Sequence, residues 1–317
     1  MQSIFGTDGI RGVFKKEITY ELAQKIGYAF GSINNKTKKV LIGRDTRVSG
    51  DLLLEALSYG LHHSGTEVIN IGICPTPAIP FLINHFKIYT GIMISASHNP
   101  PEYNGIKFFD HNGLKLNKKK EIEIESFLNK IDSNLIFRKQ RNIVDNFDLL
   151  EIYKQSLIES IGNNNLHGMK IILDNCHGSA CVFAENVFKE LGASINVINS
   201  DPDGSKINVN CGSTCLDPLK KAIHEFDAEI GFSFDGDADR VIGIDSEENI
   251  LDGDHILFIW GRELMRENIL SRNLLISTVM SNLGFEKAWN NLGGILIRTP
   301  VGDKFIYEEI GRQKADL

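Results

Sequence analysis

Ser97, His98 and Asn99 stand together in the segment Thr90–Pro100, TGIMISASHNP, where an apolar run passes directly into a tight polar loop. Reactive groups in parallel-sheet proteins sit in loops at strand ends. A serine flanked by a histidine and an amide is a candidate nucleophile activated by its neighbours. The G-x-S-x-G spacing of a hydrolase elbow is absent, and SHNP alone also reads as an ordinary turn. A second segment, Phe232–Arg240 (FSFDGDADR), places Asp235, Asp237 and Asp239 at alternating positions. In an extended loop those side chains point to one side. Three adjacent carboxylates repel unless a divalent cation lies among them, and an all-oxygen set suits Mg²⁺ or Ca²⁺. An EF-hand begins with the same D-x-D-x-D, but its sixth position is Arg240 where Gly is required, and its twelfth is Ser246 where Glu is expected. Arg240 adds a fixed cation beside the acids, which suits a phosphate held at the same place.

Two further segments are weaker on their own. Phe5–Gly12, FGTDGIRG, has three glycines in eight residues and reads as a loop where backbone approaches something closely, with Arg11 able to clamp an anion. Asn104–Phe109, NGIKFF, presents Lys107 from a strand after a turn and by itself reads as an edge-strand lysine. Cys176-x4-Cys181 and Cys211-x3-Cys215 lack the spacing of a zinc ribbon, and CGSTC reads better as a tight turn. His62 and His63 fall near a helix end, where capping the last carbonyls is the expected role.

The elements that must position these groups recur in one order. KVLIGRD, the loop TRVSG, a helix closed by Gly65 and the strand TEVINIG form a first copy. KIILDN, CHGSA, a helix closed by Gly192 and ASINVIN form a second; NLLISTV, MSNLG, FEKAWNN and ILIRTP form a third. Strand, polar loop, glycine-closed amphipathic helix and strand is the βαβ pattern, which predicts right-handed crossovers. The expectation is an α/β protein of three related βαβ-type domains with mixed, mainly parallel sheets. Their expected boundaries are 1–145 (SASHNP loop), 146–249 (acidic loop) and 250–317. The helix KKKEIEIESFLNKI closes the first, its lysines reading as a solvated face beside Glu121, Glu123 and Glu125. Residues 137–161 read as a linker entering the next helix.

Composition narrows the class. The 317 residues carry 34 Lys plus Arg against 41 Asp plus Glu, a net charge of −7, with no long basic run, which argues against a dedicated nucleic-acid binder. No apolar stretch approaches the roughly 20 residues that span a bilayer. The start MQSIFGTDGIRG lacks the basic and apolar regions of a secretory signal. Five cysteines suit free thiols in a reducing cytoplasm. No membrane partner is expected, and composition leaves a homo-oligomer open.

Taken together, FGTDGIRG at the N-terminus, ISASHNP followed by NGIKFF, and then DGDADR resemble the α-D-phosphohexomutases. CGST (Cys211–Thr214) after INVN, and TPVGD (Thr299–Asp303), are similar as well. The resemblance covers essentially the whole chain. It implies that Ser97 carries a phosphoryl group in the active enzyme and that Ser97, Asp235, Asp237 and Asp239 hold one Mg²⁺. It implies a sugar phosphate substrate, with glucosamine 6-phosphate and glucosamine 1-phosphate interconverted through a bisphosphate for cell-wall precursors. Arg240 and Arg11 are then candidates for stabilising the transferring group, and Lys107 or His98 for general acid/base work. Alternatives are the sibling activities on mannose or glucose phosphates, or an inactive Mg²⁺ and phosphate-binding fragment. The family's G-E-x-S-G-H sugar loop and its fourth domain have no counterpart before the chain stops at RQKADL. A partial third domain exposing apolar edge is therefore expected.

Overall fold

The computed structural model describes residues 3–6, 8–34, 38–87, 90–132, 135 and 143–317. Thr7 of FGTDGIRG and residues 137–142 of the expected linker lie outside the described residues. The chain divides into two compact units, Met1–Glu248 and Asn249–Leu317.

In the first unit the N-terminal sheet contains β1 (Ile10–Val13), β2 (Lys39–Arg44), β3 (Glu67–Ile73), β4 (Thr90–Ile94), β5 (Tyr103–Phe109) and β6 (Ile143–Asp145), in the order β1-β5-β4-β2-β3-β6. β4-β2-β3-β6 are parallel, whereas β5 runs antiparallel to both β4 and β1. β2 and β4 read as nearly unbroken apolar runs because both faces of the sheet are covered. On one face lie α1 (Tyr20–Ile33), α2 (Gly50–His63) and α4 (Lys118–Leu128), packing Ile26, Leu53, Leu57 and Leu61 against Ile42, Ile92 and Ile94. Thr19 Oγ1 caps α1 at Leu22 N, and Asn117 caps α4 at Lys120 N. The expected solvated face is only partly so: Lys120 pairs with exposed Glu123, but Glu121, which pairs with Lys118, is buried.

α1 and α2 meet at glycines. A Cβ on Gly27 would lie 2.2 Å from the Leu57 carbonyl oxygen, and one on Gly60 would lie 1.9 Å from that of Gln24. Gly60→Ala should therefore destabilise the protein by about 1–3 kcal/mol, because overpacking against rigid backbone outweighs alanine's helix preference of about 1 kcal/mol. A denaturation midpoint that stays put or rises would contradict this close approach.

The other face carries α3 (Ala78–Phe86) and α5 (Leu149–Ser160). Here Leu41, Ile71, Ile79, Leu82 and Met93 join Tyr153, Phe183 and Val187 in one apolar cluster. The Tyr153 and Phe183 rings stack with centroids 5.3 Å apart. That shared core ties the first sheet to the second, which contains β7 (Lys170–Asp174), β8 (Ser194–Ile198), β9 (Ile230–Phe234) and β10 (Val241–Asp245), with α6 (Ala184–Glu190) and α7 (Asp217–Phe226). β9-β7-β8 are parallel, and β10 returns antiparallel to β9.

The second unit comprises β11 (Ile250–Leu251), α8 (Gly253–Arg266), β12 (Leu274–Thr278), α9 (Leu283–Asn291), β13 (Ile295–Thr299) and α10 (Asp303–Gln313). β12 and β13 are parallel in full register. Trp289 is fully buried, donating from Nε1 to the carbonyls of Asn273 and Ile295, with Phe258 edge-on to it. Trp260, Met280, Leu283 and Ile295 are exposed. Among the described residues no helix is long and apolar enough to cross a membrane.

Candidate active site

The loop after β4 begins with Ser95, whose backbone N–H bonds to the Gly105 carbonyl of β5. A Cβ on Gly105 would come within 2.4 Å of the Ser95 carbonyl oxygen, so only glycine lets the loop lie this close to β5. Ser97 adopts a left-handed conformation at φ 54° and is nearly inaccessible. Its hydroxyl donates to Asp235 Oδ2 at 2.6 Å, accepts from Arg240 Nη2 at 2.8 Å and lies 3.4 Å from His98 Nδ1. A non-glycine residue at positive φ persists only where its surroundings over-determine it, and such residues cluster at functional sites.

The three aspartates converge for a reason that alternation does not supply. The segment between β9 and β10 is a tight hairpin turn, not an extended strand: Asp235 N bonds to the Arg240 carbonyl, Ala238 N to that of Asp235, and Ala238 is left-handed at φ 51°. The turn brings one oxygen from each of Asp235, Asp237 and Asp239 within 4.8 Å of one another. Asp235 and Asp237 are fully buried, and Asp239 stands at the rim.

Lys107 is corrected from an edge strand to an interior one. Ile10–Val13, read as part of a loop, forms β1 and pairs with β5 (Ile10 opposite Ile106), so Lys107 lies between strands and is 1% exposed. Gly9 permits the approach, at φ 81°; a Cβ there would sit 2.3 Å from the Ile106 carbonyl oxygen. Lys107 Nζ donates to Asp237 Oδ2 at 2.7 Å and Asp239 Oδ2 at 2.9 Å, and pairs with Asp8 at 3.2 Å. Burial alone would lower its pKa, but Asp237, Asp239 and Asp8 raise it well above the ordinary lysine value. Arg11 reaches Asn99 Oδ1 at 3.3 Å and Asp8 at 3.2 Å. Burial, then Arg240 and Arg11, lower the His98 pKa, which favours the neutral ring.

Crowding shows in the acids. Burial and Asp237 push Asp239 up to about 7, and raise Asp235 as well. For Asp237 burial is outweighed by Lys107 and the carboxyl falls below its usual range. Asp237 Oδ1 is buried with no hydrogen-bond partner. An orphaned carboxylate oxygen, three converging acids and a serine oxygen at Asp235 fit a hard divalent cation; opposite ligands of Mg²⁺ lie roughly 4.2 Å apart. Among the described residues this is the one cluster of His, Cys, Asp or Glu that could hold a metal.

The eight residues given candidate catalytic or metal-holding roles from the sequence (Arg11, Ser97, His98, Lys107, Asp235, Asp237, Asp239 and Arg240) thus fall in one region of the first unit. Several neighbours were missed. Thr76 donates to Asp237 from its side chain and to the Asp237 carbonyl from its backbone. Asp8, inside a recognised motif, gathers Arg11, Lys107 and Lys115; burial would raise its pKa, but the lysines hold it at about 2. Asp45, Arg47 and Asn208 surround the Ser97 loop. A signal existed for Asp45 and Arg47: both follow β2, the parallel neighbour of β4, and loops at the carboxyl ends of adjacent strands meet. The five cysteines are free.

Three family models match in succession: phosphoglucomutase/phosphomannomutase alpha/beta/alpha domain I at residues 2–135, domain II at 151–248 and domain III at 252–317. The chain belongs to the phosphoglucomutase/phosphomannomutase family. It is 63% identical over 318 residues to a phosphoglucosamine mutase of Prochlorococcus marinus (strain MIT 9515), matching 100% of this chain and 70% of that protein. A phosphoglucosamine mutase of strain MIT 9215 is 61% identical, with 100% and 71% covered. A crystal structure of a phosphoglucomutase/phosphomannomutase family protein from Burkholderia thailandensis superimposes with a TM-score of 0.81 at 26% identity, over 99% of this chain and 70% of that one. Three α/β domains with mixed sheets accord with the family, and the chain spans about 70% of the length of these relatives.

Proposed function

We propose that this site carries out the phosphoryl transfer of a phosphoglucosamine mutase, interconverting glucosamine 6-phosphate and glucosamine 1-phosphate. The observation that carries the reading is Ser97 Oγ, 2.6 Å from Asp235 and 2.8 Å from Arg240, in a chain 63% identical to a protein of that name. Phosphorylated Ser97 passes its phosphoryl group to one sugar hydroxyl, giving a bisphosphate; the serine then recovers a phosphoryl group from the other end. Phosphoryl transfer depends on alignment and charge neutralisation more than on covalent assistance. Asp235, Asp237, Asp239 and a Ser97 phosphate oxygen are the groups that would hold Mg²⁺, which when bound supplies electrophilic stabilisation of the phosphoryl oxygens. Arg240, already donating to Ser97 Oγ, neutralises charge on that oxygen as the P–O bond breaks. Arg11, fixed by Asp8 and Asn99, faces the same loop from β1. Lys107 is the candidate general acid: the carboxylates around it hold it protonated, so it can give a proton to the sugar oxygen that departs when the serine recovers its phosphoryl group. The hydroxyl that attacks phosphorylated Ser97 must pass its proton to another acceptor. The net charge of −7 argues against nucleic acid as the partner.

The test is turnover of glucosamine 6-phosphate by the purified chain, beside glucose and mannose 6-phosphates, with and without EDTA. Preference for the amino sugar and loss of turnover in EDTA are expected. Turnover that survives EDTA would remove the metal assignment. An inactive chain beside an active longer relative would assign it to a binding fragment.

A further inference from the structure

We propose that Arg47 and Asn208 are positioning residues that clamp the backbone of the Ser97 loop from two sides, one jaw from each sheet of the first unit. The inference rests on the reading of Ser97 as the phosphoryl carrier. Arg47, in the loop after β2, is fully buried. Nη2 donates to the carbonyls of Ser97 (2.9 Å) and Asn99 (2.7 Å), Nη1 to those of Pro100 and Tyr103, and Nε to Asp45 (2.9 Å). The guanidinium therefore spends its full set of donors on this loop and its anchor. Asp45 closes the ring: it accepts from the Ser95 hydroxyl, which accepts from the Ser97 backbone N–H. Both polar groups of the Ser97 peptide backbone are thus held through Arg47 and Asp45.

Asn208 comes from the other side, in the segment between β8 and α7. Its Nδ2 donates to the same two carbonyls, Ser97 at 2.8 Å and Asn99 at 2.9 Å, while its Oδ1 accepts from Cys176 Sγ at 2.9 Å. Because the two carbonyls can only accept, they require the NH₂ end of the amide to face the loop, which leaves its oxygen to the thiol. Each carbonyl receives two donors, one per jaw, so both lone pairs are used. Gly236 of the acidic turn packs beside them; a Cβ there would lie 2.7 Å from the Ser97 carbonyl oxygen. Asn208 is therefore the side chain that ties the left-handed Ser97 backbone to the sheet bearing Asp235. It touches neither the Ser97 hydroxyl nor an aspartate carboxylate; its effect passes through the Ser97 backbone. A misplacement of about 1 Å at a reacting centre lowers turnover about a hundredfold.

The experiment uses N208D, which turns the donor toward the carbonyls into an acceptor at nearly constant shape, and N208A, which deletes it. Hydrogen exchange is measured on peptides covering 95–103 and, as reference, 53–61, alongside mutase kinetics on glucosamine 6-phosphate. In both variants exchange in 95–103 should rise at least about tenfold while 53–61 matches wild type; kcat should fall about ten- to a hundredfold with KM within about twofold. Exchange in 95–103 that stays at the wild-type rate, or rises equally in both regions, overturns the clamp; so does a raised KM with kcat intact. A wild-type chain without turnover would remove the proposed function, and the exchange comparison would still decide the clamp.

Discussion

Ser97→Ala is expected to erase the phosphoryl label and turnover together while leaving the fold in place. Intact-mass measurement of the wild-type chain should show a species about 80 Da heavier, one phosphoryl group on serine, and the variant should lack it. Turnover should drop at least about a thousandfold, since removing a nucleophile that acts as part of a unit forfeits most of that unit's effect. Stability should change by only about 1 kcal/mol. Alanine keeps the Cβ that already occupies the left-handed backbone, and Asp235 keeps its bonds to Arg240 when the hydroxyl goes. The backbone ring through Ser95, Asp45 and Arg47 contains no atom of the Ser97 side chain, so the loop retains its shape. A heavier species that persists in the variant would place the phosphoryl group elsewhere, and preserved turnover would remove Ser97 from the reaction.

Which parts of this site could be read from the sequence follows from how local each one is. The DGDADR acids stand out because neighbouring residue types state a chemistry, whereas SHNP alone reads equally as a turn and Ser97 stands out only through the resemblance. The strand–loop–helix–strand repeats announce the α/β class because glycine closure and apolar periodicity are local as well. Lys107 does not: whether a strand lies at an edge depends on which distant strand pairs with it, and here β1 covers β5 with Ile10 opposite Ile106, 96 residues away in the sequence. The acidic turn gave the right residues for an incomplete reason, since side chains that alternate in a strand converge here through a left-handed Ala238. Arg47 and Asn208 were invisible for a deeper reason. Both act on backbone carbonyls, and a carbonyl acceptor leaves no residue type behind to be recognised. Asn208 even lies inside INVN, a segment already set beside CGST, yet nothing in its spelling points to a peptide 109 residues away.

Asp237→Asn is the substitution expected to weaken Mg²⁺ binding most sharply. Asp237 is buried at the centre of the cluster, with one oxygen taken by Thr76 and Lys107 and the other left without a partner. An asparagine amide must place its NH₂ at one of these two positions. Toward the orphaned position, its hydrogens meet the bound cation; toward Lys107, they meet an ammonium. Neither orientation offers what a carboxylate does, so Mg²⁺ affinity should fall at least about a hundredfold, the upper end of what loss of a supporting group around a metal produces. Turnover should fall about 10²- to 10³-fold, the scale of losing one preorganised electrostatic group. Thermal unfolding across a Mg²⁺ series reads the affinity without any activity assay. A ligand that binds only the folded state adds about 2.7 kcal/mol when its free concentration is 100 times Kd, so the wild-type midpoint should climb with Mg²⁺. The N variant's midpoint should stay nearly flat over the same series. If both climb alike, the cation sits somewhere other than these three aspartates, and the orphaned oxygen of Asp237 needs a different partner. If neither climbs while the wild-type chain still turns over sugar phosphate, the carboxylates serve Lys107 and Thr76 alone, and charge at the phosphoryl group falls to Arg240 and Arg11.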